Sequence, residues 1–164
     1  MHNYKISELG KIVSGGTPST TIPTYWDGNI PWITPKDLSV NKKKYIANGE
    51  RFITTEGLNH SSAKMLPANT ILLSSRAPIG YLALAKNELC TNQGFKSIVC
   101  NEKVLPEYLY YLLQTKVDDL ISISSGSTFL ELSKSALENY ELSIHDIHMQ
   151  KHIVDTIYFA LVFQ

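Results

Sequence analysis

The sequence predicts an α+β fold: a mixed, mainly antiparallel twisted sheet with flanking helices, ending in the start of a long helix of the coiled-coil type. Three observations support this prediction. The middle of the chain alternates apolar and polar residues at strand spacing, most cleanly at Phe95–Val99. From Pro106 onward the apolar residues recur at helical spacing instead. Strands and helices do not alternate strictly, which argues against a doubly wound parallel sheet.

The first part of the chain alternates short ordered stretches with loops. Residues 4–14 predict a first strand, which two glycines and a proline end at Gly15–Ser19. A short strand is predicted at residues 30–34, and a loop follows from Pro35 to the lysine run at 42–44. Residues 54–64 predict a short helix with a threonine as its N-cap.

The centre of the chain predicts three strands and one long amphipathic helix. The strands lie at residues 70–74, 79–84 and 95–99, separated by turn-like segments. Leucines and a valine from Pro106 to Leu120 recur at helical spacing, and proline suits a first helical turn. We therefore expect a single helix of roughly four turns there.

The C-terminal part predicts a loop, a helical turn, a strand and a final helix. These elements lie at residues 124–128, 133–137, 140–144 and 145–164. The final helix carries an apolar stripe, which predicts that it packs against a partner. The stripe contains Met149, Ile153, Ile157, Ala160 and Leu161.

Composition indicates a folded protein without a strong charge bias. The chain has 164 residues, with 15 basic and 15 acidic side chains, so its formal net charge is zero. A neutral balance argues against a simple electrostatic DNA binder. The two cysteines, Cys90 and Cys100, form no metal-binding or redox motif, and no signal sequence or membrane span is evident. We expect a cytoplasmic protein with reduced thiols.

The sequence contains no recognisable catalytic motif. No Asp or Glu is followed by Lys at the second position, as a common metal-dependent nuclease would require. No phosphate-binding glycine loop is present. His148 and His152 have metal-ligand spacing on one helix face, but position 149 lacks the Glu of a zinc protease. We therefore expect no metal, no cofactor and no enzymatic activity.

The order of short motifs resembles the target-recognition domain of type I restriction-modification specificity subunits. The resemblance covers about residues 4–153. Each motif alone is unspecific, and the resemblance is specific because the whole set occurs in the same order. The motifs are Gly15-Gly16-Thr17-Pro18, Tyr25-Trp26, Ile30-Pro31-Trp32, Thr34, Asp37-Leu38, Ile53-Thr54, Gly57-Leu58, Ser61, Ala63-Lys64, Leu66-Pro67, Ser74 to Gly80, Thr91 to Phe95, Tyr108, Tyr110 to Leu112, Ser125 to Phe129 and Gln150-Lys151-His152-Ile153.

The resemblance implies a non-catalytic DNA reader. Such subunits position adenine methyltransferase subunits, which use S-adenosylmethionine, and ATP-driven restriction subunits on double-stranded DNA. A full subunit resembles two copies of this unit, each followed by a long helix, and reads a split site. The resemblance divides this chain into a recognition domain at 1–146 and a stump of the spacer helix at 147–164.

Two departures leave the biological form open. The family's proline-rich stretch is absent from residues 144–149, and the helix stops at Gln164. The chain could be a half-subunit, a silent recombination cassette, a truncated gene or a laboratory fragment. The alternative function is therefore an assembly or recombination cassette without stand-alone DNA binding, and a homodimer through the C-terminal helix is possible in either case.

Three side chains are candidates for contacts with base edges. A bidentate arginine on guanine is the commonest specific contact, and Arg76 lies in a turn between two strands. The alternative, which family-wide motif positions favour, is that Arg76 braces the fold through backbone carbonyls. Asn92 and Gln93 could read adenine, yet such residues also cap turns.

Other polar residues are candidates for contacts with phosphates. Lys36, the run Lys42, Lys43 and Lys44, and Lys96 are the basic candidates. The alternative for each is a solvated surface position. Ser127 and Thr128 follow a glycine in a small-residue loop, whose backbone N–H groups could meet a phosphate.

Overall fold

The computed structural model of the chain describes residues 1–163. In this range the chain forms ten strands and seven α-helices. The strands are β1 His2–Lys5, β2 Gly10–Ser14, β3 Trp26–Ile33, β4 Tyr45–Ile46, β5 Arg51–Ile53, β6 Ile71–Ser75, β7 Ile79–Ala85, β8 Cys90–Thr91, β9 Lys96–Cys100 and β10 Glu141–Ile144. The helices are α1 Ile6–Leu9, α2 Pro35–Val40, α3 Thr55–Asn59, α4 Pro106–Gln114, α5 Val117–Ser122, α6 Lys134–Asn139 and α7 Ile147–Val162.

The strands form three sheets, which confirms the predicted α+β class. The largest has five strands in the order β2-β9-β6-β7-β4, so β2 and β4 are its two edges. Strands β5, β3 and β8 form a second sheet, and β1 pairs with β10. Pairing is mainly antiparallel, whereas β4–β7 and β3–β8 are parallel, so the sheets are mixed as predicted.

The five-stranded sheet separates two apolar cores. Alternate strand residues point to opposite faces, so Ile71 and Leu73 of β6 join one core while Leu72 joins the other. The first core also holds Leu109 and Leu113 of α4. A third cluster surrounds Trp26 and Trp32, whose rings meet edge to face with centroids 5.0 Å apart. Both tryptophans are buried, which supports a core role for them.

The single strand predicted at 4–14 is wrong, because one helical turn interrupts it. Glu8 Oε2 accepts a hydrogen bond from the Lys5 N–H at 2.8 Å, which stabilises the start of α1. Strand β1 therefore pairs with β10, and β2 pairs with β9 in a different sheet.

The loop predicted from Pro35 is wrong at its start, which is α2. Asp37 Oδ2 accepts from the Thr34 N–H at 2.8 Å, and Pro35 occupies the first helical position. This capping box was visible in the sequence as Thr34, Pro35 and Asp37.

The helix predicted from Pro106 to Leu120 is two helices. The Thr115 and Lys116 N–H groups donate to Leu112 and Leu113 three residues earlier, both at 3.0 Å, which tightens and ends α4. Helix α5 then turns onto β7, where Val117 packs against Gly80.

The base of α7 is held by one buried amide. Asp146 caps the helix by accepting from the Met149 N–H at 3.0 Å. Gln150 is fully buried; its Oε1 accepts from the Leu105 N–H at 2.8 Å, and its Nε2 donates to the carbonyls of His145 and Lys103 at 2.8 and 3.0 Å. The amide thus joins the start of α7 to the start of α4. No helix in residues 1–163 is long and apolar enough to cross a membrane.

Candidate nucleic-acid interface

Three loops converge at the end of β6. The Ser75 N–H donates to the Gly94 carbonyl at 2.8 Å, and the Ser75 carbonyl accepts from the Leu132 N–H at 2.9 Å. These bonds bring together the 76–78 loop, the 92–94 turn and the 124–131 loop. These loops and the start of β9 carry six of the predicted site residues: Arg76, Asn92, Gln93, Lys96, Ser127 and Thr128.

The 76–78 loop is held by two hydrogen bonds of a buried serine. The Ser74 hydroxyl donates to the Pro78 carbonyl at 2.7 Å and accepts from the Tyr81 N–H at 2.8 Å. Gly80 has a φ of +103°, and a Cβ there would lie 2.5 Å from Val117 Cγ1, so only glycine fits. The loop presents Arg76, which is half-buried and, among the described residues, forms no ion pair. Its guanidinium can therefore donate to an incoming acceptor.

The 92–94 turn combines a structural residue with an exposed one. Asn92 Oδ1 accepts from the Gly94 N–H at 2.8 Å, so its amide closes the turn. Gln93 is exposed and accepts from the Thr17 hydroxyl. Gln93 is thus better placed than Asn92 to contact a ligand.

The 124–131 loop exposes hydroxyls beside an aromatic ring. The N–H groups of Ser125 and Glu131 each donate to the other's carbonyl, and Gly126 adopts a φ of +133° at the turn. Ser127 and Thr128 are exposed, and Phe129 is 84% exposed. With Arg76, this loop lines an open apolar groove of about 520 Å³.

Lys96 is close to these loops but is not a free cation. Its side chain is 10% exposed, and Nζ lies 3.6 Å from Glu131 Oε1. The pair ties β9 to the 124–131 loop, which supports a bracing role more than a phosphate contact.

The other predicted lysines lie outside the loop cluster. Lys36 follows Pro35, which lies close to Gly94, but its amine is 3.1 Å from the exposed carboxylate of Glu50. Lys42 and Lys43 are exposed beside the β4 edge. A phosphate role for these three lysines stays a prediction.

Lys44 is bonded within the domain. Its Nζ contacts Glu107 Oε2 and lies 3.3 Å from the Tyr111 hydroxyl. Burial by itself would lower the pKa of Lys44, but hydrogen bonds to Glu107 and Tyr111 and the charge of Glu107 outweigh it, so the pKa is raised. The ammonium is therefore stabilised by its partners within the fold, and a phosphate contact by Lys44 stays a prediction.

The sequence did not single out four residues beside the loop cluster. Phe129 and Lys64 belong to motifs of the family resemblance, but the sequence assigned neither a role. Lys11, Lys64 and Lys134 come from three distant segments and meet beside β2. The one local signal is the alternation of β2: Lys11 precedes the buried Ile12, so its side chain faces the other side of the strand and is exposed.

The predicted apolar stripe of α7 is split by the fold. Ile153 and Ile157 are partly buried, and Ile153 packs with Val154 against the first core. The rest of the stripe is exposed: Met149, Ala160 and Leu161. Further exposed apolar side chains lie near the end of the helix: Tyr158, Phe159, Val162 and Phe163.

No cluster of metal-ligating side chains is found in residues 1–163. His148 and His152, the pair with metal-ligand spacing, are both exposed on α7.

Comparison with known proteins identifies the family. The model described as "Type I restriction modification DNA specificity domain" matches residues 1–158. The chain is 48% identical over 155 residues to the MjaIX specificity subunit of Methanocaldococcus jannaschii, covering 93% of this chain and 36% of that protein. It is 30% identical over 159 residues to the EcoR124I/EcoR124II specificity subunit of Escherichia coli, covering 93% of this chain and 39% of that protein.

Solved structures show the same fold. The HsdS subunit from Thermoanaerobacter tengcongensis superposes with a TM-score of 0.73 at 17% identity, covering 94% of this chain and 35% of that one. A chain from a study of assembly and conformational transition in a type I restriction-modification system gives a TM-score of 0.76 at 20% identity, covering 98% and 39%. The chain thus spans between a third and two fifths of the length of each of these four relatives. It belongs to the family of type I restriction-modification DNA specificity domains.

Proposed function

We propose that this domain recognises one part of a DNA target through the loops at the end of β6. The observation that supports this most directly is the guanidinium of Arg76. It is held on a loop braced by the Ser74 hydroxyl, has no carboxylate partner in the described chain and lines one groove with Thr128 and Phe129. Arginine can donate two hydrogen bonds to guanine, and hydroxyls can contact bases or phosphates.

The test is a selection of bound duplexes from a random-sequence pool, using the domain together with methyltransferase subunits. Arg76→Ala is expected to relax the preference at one base position, costing about 1–3 kcal/mol there. Arg51→Ala is the matched control, because Arg51 stacks over Trp26, 3.6 Å from the ring centroid, in another sheet. Arg76→Ala with unchanged base preference would contradict the proposal.

The proposed partners are methyltransferase and restriction subunits, which carry the chemistry. The relatives from Methanocaldococcus jannaschii and Escherichia coli are specificity subunits of type I restriction enzymes. With zero net charge, the isolated chain is expected to bind DNA weakly and salt-sensitively, with dissociation constants of about 10⁻⁴ to 10⁻⁶ M. A titration in moderate salt, with and without methyltransferase subunits, tests this. Sub-nanomolar specific binding by the chain alone would contradict it.

The same neutral charge favours one second candidate, an assembly or recombination cassette without stand-alone DNA binding. Footprinting separates the two. Protection of DNA that appears only with methyltransferase subunits and depends on Arg76 supports recognition, whereas protection that is independent of this domain supports the cassette.

The exposed end of α7 is the proposed partner surface. Tyr158, Phe159, Leu161 and Val162 are each more than half exposed, and such apolar surface favours association. Light scattering over a concentration series should show self-association through a second copy that Leu161→Asp removes. A strict monomer at all concentrations would contradict a homodimer.

A cytoplasmic location is also part of the proposal. Both cysteines are free thiols. Burial raises the pKa of Cys90 and of Cys100 to about 12, so the thiols stay protonated and are slow to oxidise.

A further inference from the structure

Three lysines converge on one groove beside the free edge of β2. Lys11 comes from β2, Lys64 from the segment after α3, and Lys134 from the start of α6; all three are exposed. The groove measures about 400 Å³ and also includes Ser14 and Met65 in its lining. No carboxylate lines it among the described residues. We call this set of three residues the lysine groove.

The charges of the lysine groove are available to a ligand. Within residues 1–163, Lys11 and Lys64 have no carboxylate within ion-pair distance. Lys134 faces only Glu138 of its own helix at 3.8 Å, and both side chains are more than one third exposed. Exposed pairs of this kind contribute little, so a phosphate can replace the carboxylate. In a chain of zero net charge, the groove is a local positive surface.

The lysine groove continues from the loop cluster at the end of β6. Lys134 also lines the adjoining depression formed with Phe129 and the Lys96–Glu131 pair. Phe129 in turn lines the groove that holds Arg76. The sheet register agrees, since Ser14, which lies beside the three lysines, is paired with Lys96. A duplex contacting Arg76 could therefore extend its backbone along β2.

Protection of an edge strand is a competing explanation for lysines at this position. Lysine on an edge discourages pairing with another chain. That role accounts for Lys11, which lies on β2 itself. It does not account for Lys64 and Lys134, which reach the same groove from separate segments.

We infer that the lysine groove is a contact site for the phosphate backbone of double-stranded DNA whose bases face the loops at the end of β6. This inference rests on the proposed function. The groove supplies affinity without sequence preference, and the loops supply recognition.

The test is the salt dependence of binding to a duplex of mixed sequence, measured by fluorescence anisotropy. The triple variant K11A/K64A/K134A is expected to reduce the slope of log K against log salt by about 1 per lysine, and equally for unrelated sequences. The triple variant K11R/K64R/K134R keeps the charges and is expected to keep the slope. The control K86A/K103A/K151A removes three exposed charges that line neither the lysine groove nor the groove that holds Arg76, and it is expected to change the slope by less than one unit.

The outcomes separate this inference from the proposed function. An unchanged slope in K11A/K64A/K134A, or a larger loss in the control, would overturn the lysine groove while leaving recognition by the loops in place. Wild-type protein that binds no duplex, alone or with methyltransferase subunits, would overturn both. If the alanine variant does not fold, lysine acylation of the wild-type chain decides: DNA should protect Lys11, Lys64 and Lys134, and unchanged acylation at all three would overturn the inference.

Discussion

The two edges of the five-stranded sheet both carry lysines, but these lysines have different partners. At the β4 edge, Lys43, Lys44 and Lys86 line a groove of about 410 Å³, close in size to the lysine groove at β2. Lys44 is bonded to Glu107 and Tyr111, and its Nζ also lies 5.3 Å from the Tyr111 ring centroid. At the β2 edge, Lys11 and Lys64 have no such partners in the described residues.

This difference shows that the partners of a lysine, more than its sequence neighbours, determine what it can do. The run Lys42 to Lys44 is the most conspicuous basic feature of the sequence, yet its last member helps to hold α4 against the sheet. The three lysines beside β2 are scattered along the chain and meet only in the folded protein. The first group is therefore expected to matter partly for stability, and the second for binding alone.

The largest expected effect is the loss of the carboxylate partner at the β4 edge. Glu107→Ala would leave the Lys44 ammonium, 22% exposed, without its counter-ion. Breaking a fully buried pair costs about 3–5 kcal/mol, and partial exposure reduces this to about 1–2 kcal/mol here. Urea denaturation measures the change in the free energy of unfolding. Glu50→Ala is the control, since the Lys36–Glu50 pair is highly exposed and should contribute under about 0.5 kcal/mol. Equal effects of the two changes would contradict the comparison.

A smaller effect is expected at alkaline pH. Because the pKa of Lys44 is raised above its ordinary 10.5, its stabilising contribution is complete below pH 10.5 and is lost as the pH rises through the folded-state pKa. The stability difference between wild type and Lys44→Met should therefore shrink above pH 10.5. Chemical denaturation at a series of pH values tests this. Arg51→Met serves as the control, since a guanidinium does not titrate in this range and its difference should stay flat. A difference in the free energy of unfolding between wild type and Lys44→Met that grows with pH would contradict this prediction.

The smallest expected effect is on stability at the β2 edge. Lys11→Met and Lys64→Met should each change the free energy of unfolding by less than about 0.5 kcal/mol, because exposed residues without specific partners contribute little. The same urea titrations apply. A loss above 1 kcal/mol in either variant would mean that the groove lysines support the fold, and the contrast between the edges would disappear.

The sequence predicted the elements whose signals are local and periodic. The alternation at Phe95–Val99 correctly indicated β9, and the apolar spacing after Pro106 indicated α4. It did not reveal the break before Val117, because that break depends on α5 packing against Gly80 of a distant strand. Tertiary contact, in this case, overrides a continuous helical pattern.

The candidate site was predictable in its residue types and unpredictable in its assembly. Arg76 and Gln93 were identified from the chemistry of base recognition. Their meeting with the 124–131 loop depends on the two backbone hydrogen bonds of Ser75, which involve residues 19 and 57 positions further along the chain. The pairing of Lys96 with Glu131 is equally invisible in the sequence, since 35 residues separate the partners.

The buried amide of Gln150 helps to fix the direction of α7 at its N-terminal end, so a small change of tilt there displaces the C-terminal end by a larger distance. The helix has 16 residues, and at 1.5 Å per residue it is about 24 Å long. A tilt of about 10° at its N-terminal end would displace its C-terminal end by about 4 Å, which is close to the 3.4 Å spacing of charges along one DNA strand. The three hydrogen bonds of Gln150, together with the packing of Ile153 and Val154 against the first core, therefore set the tilt of the helix, and any error in that tilt grows along its length. If a second recognition unit is joined through this helix, the accuracy with which Gln150 fixes the N-terminal end of α7 limits how accurately the two units can be spaced along DNA.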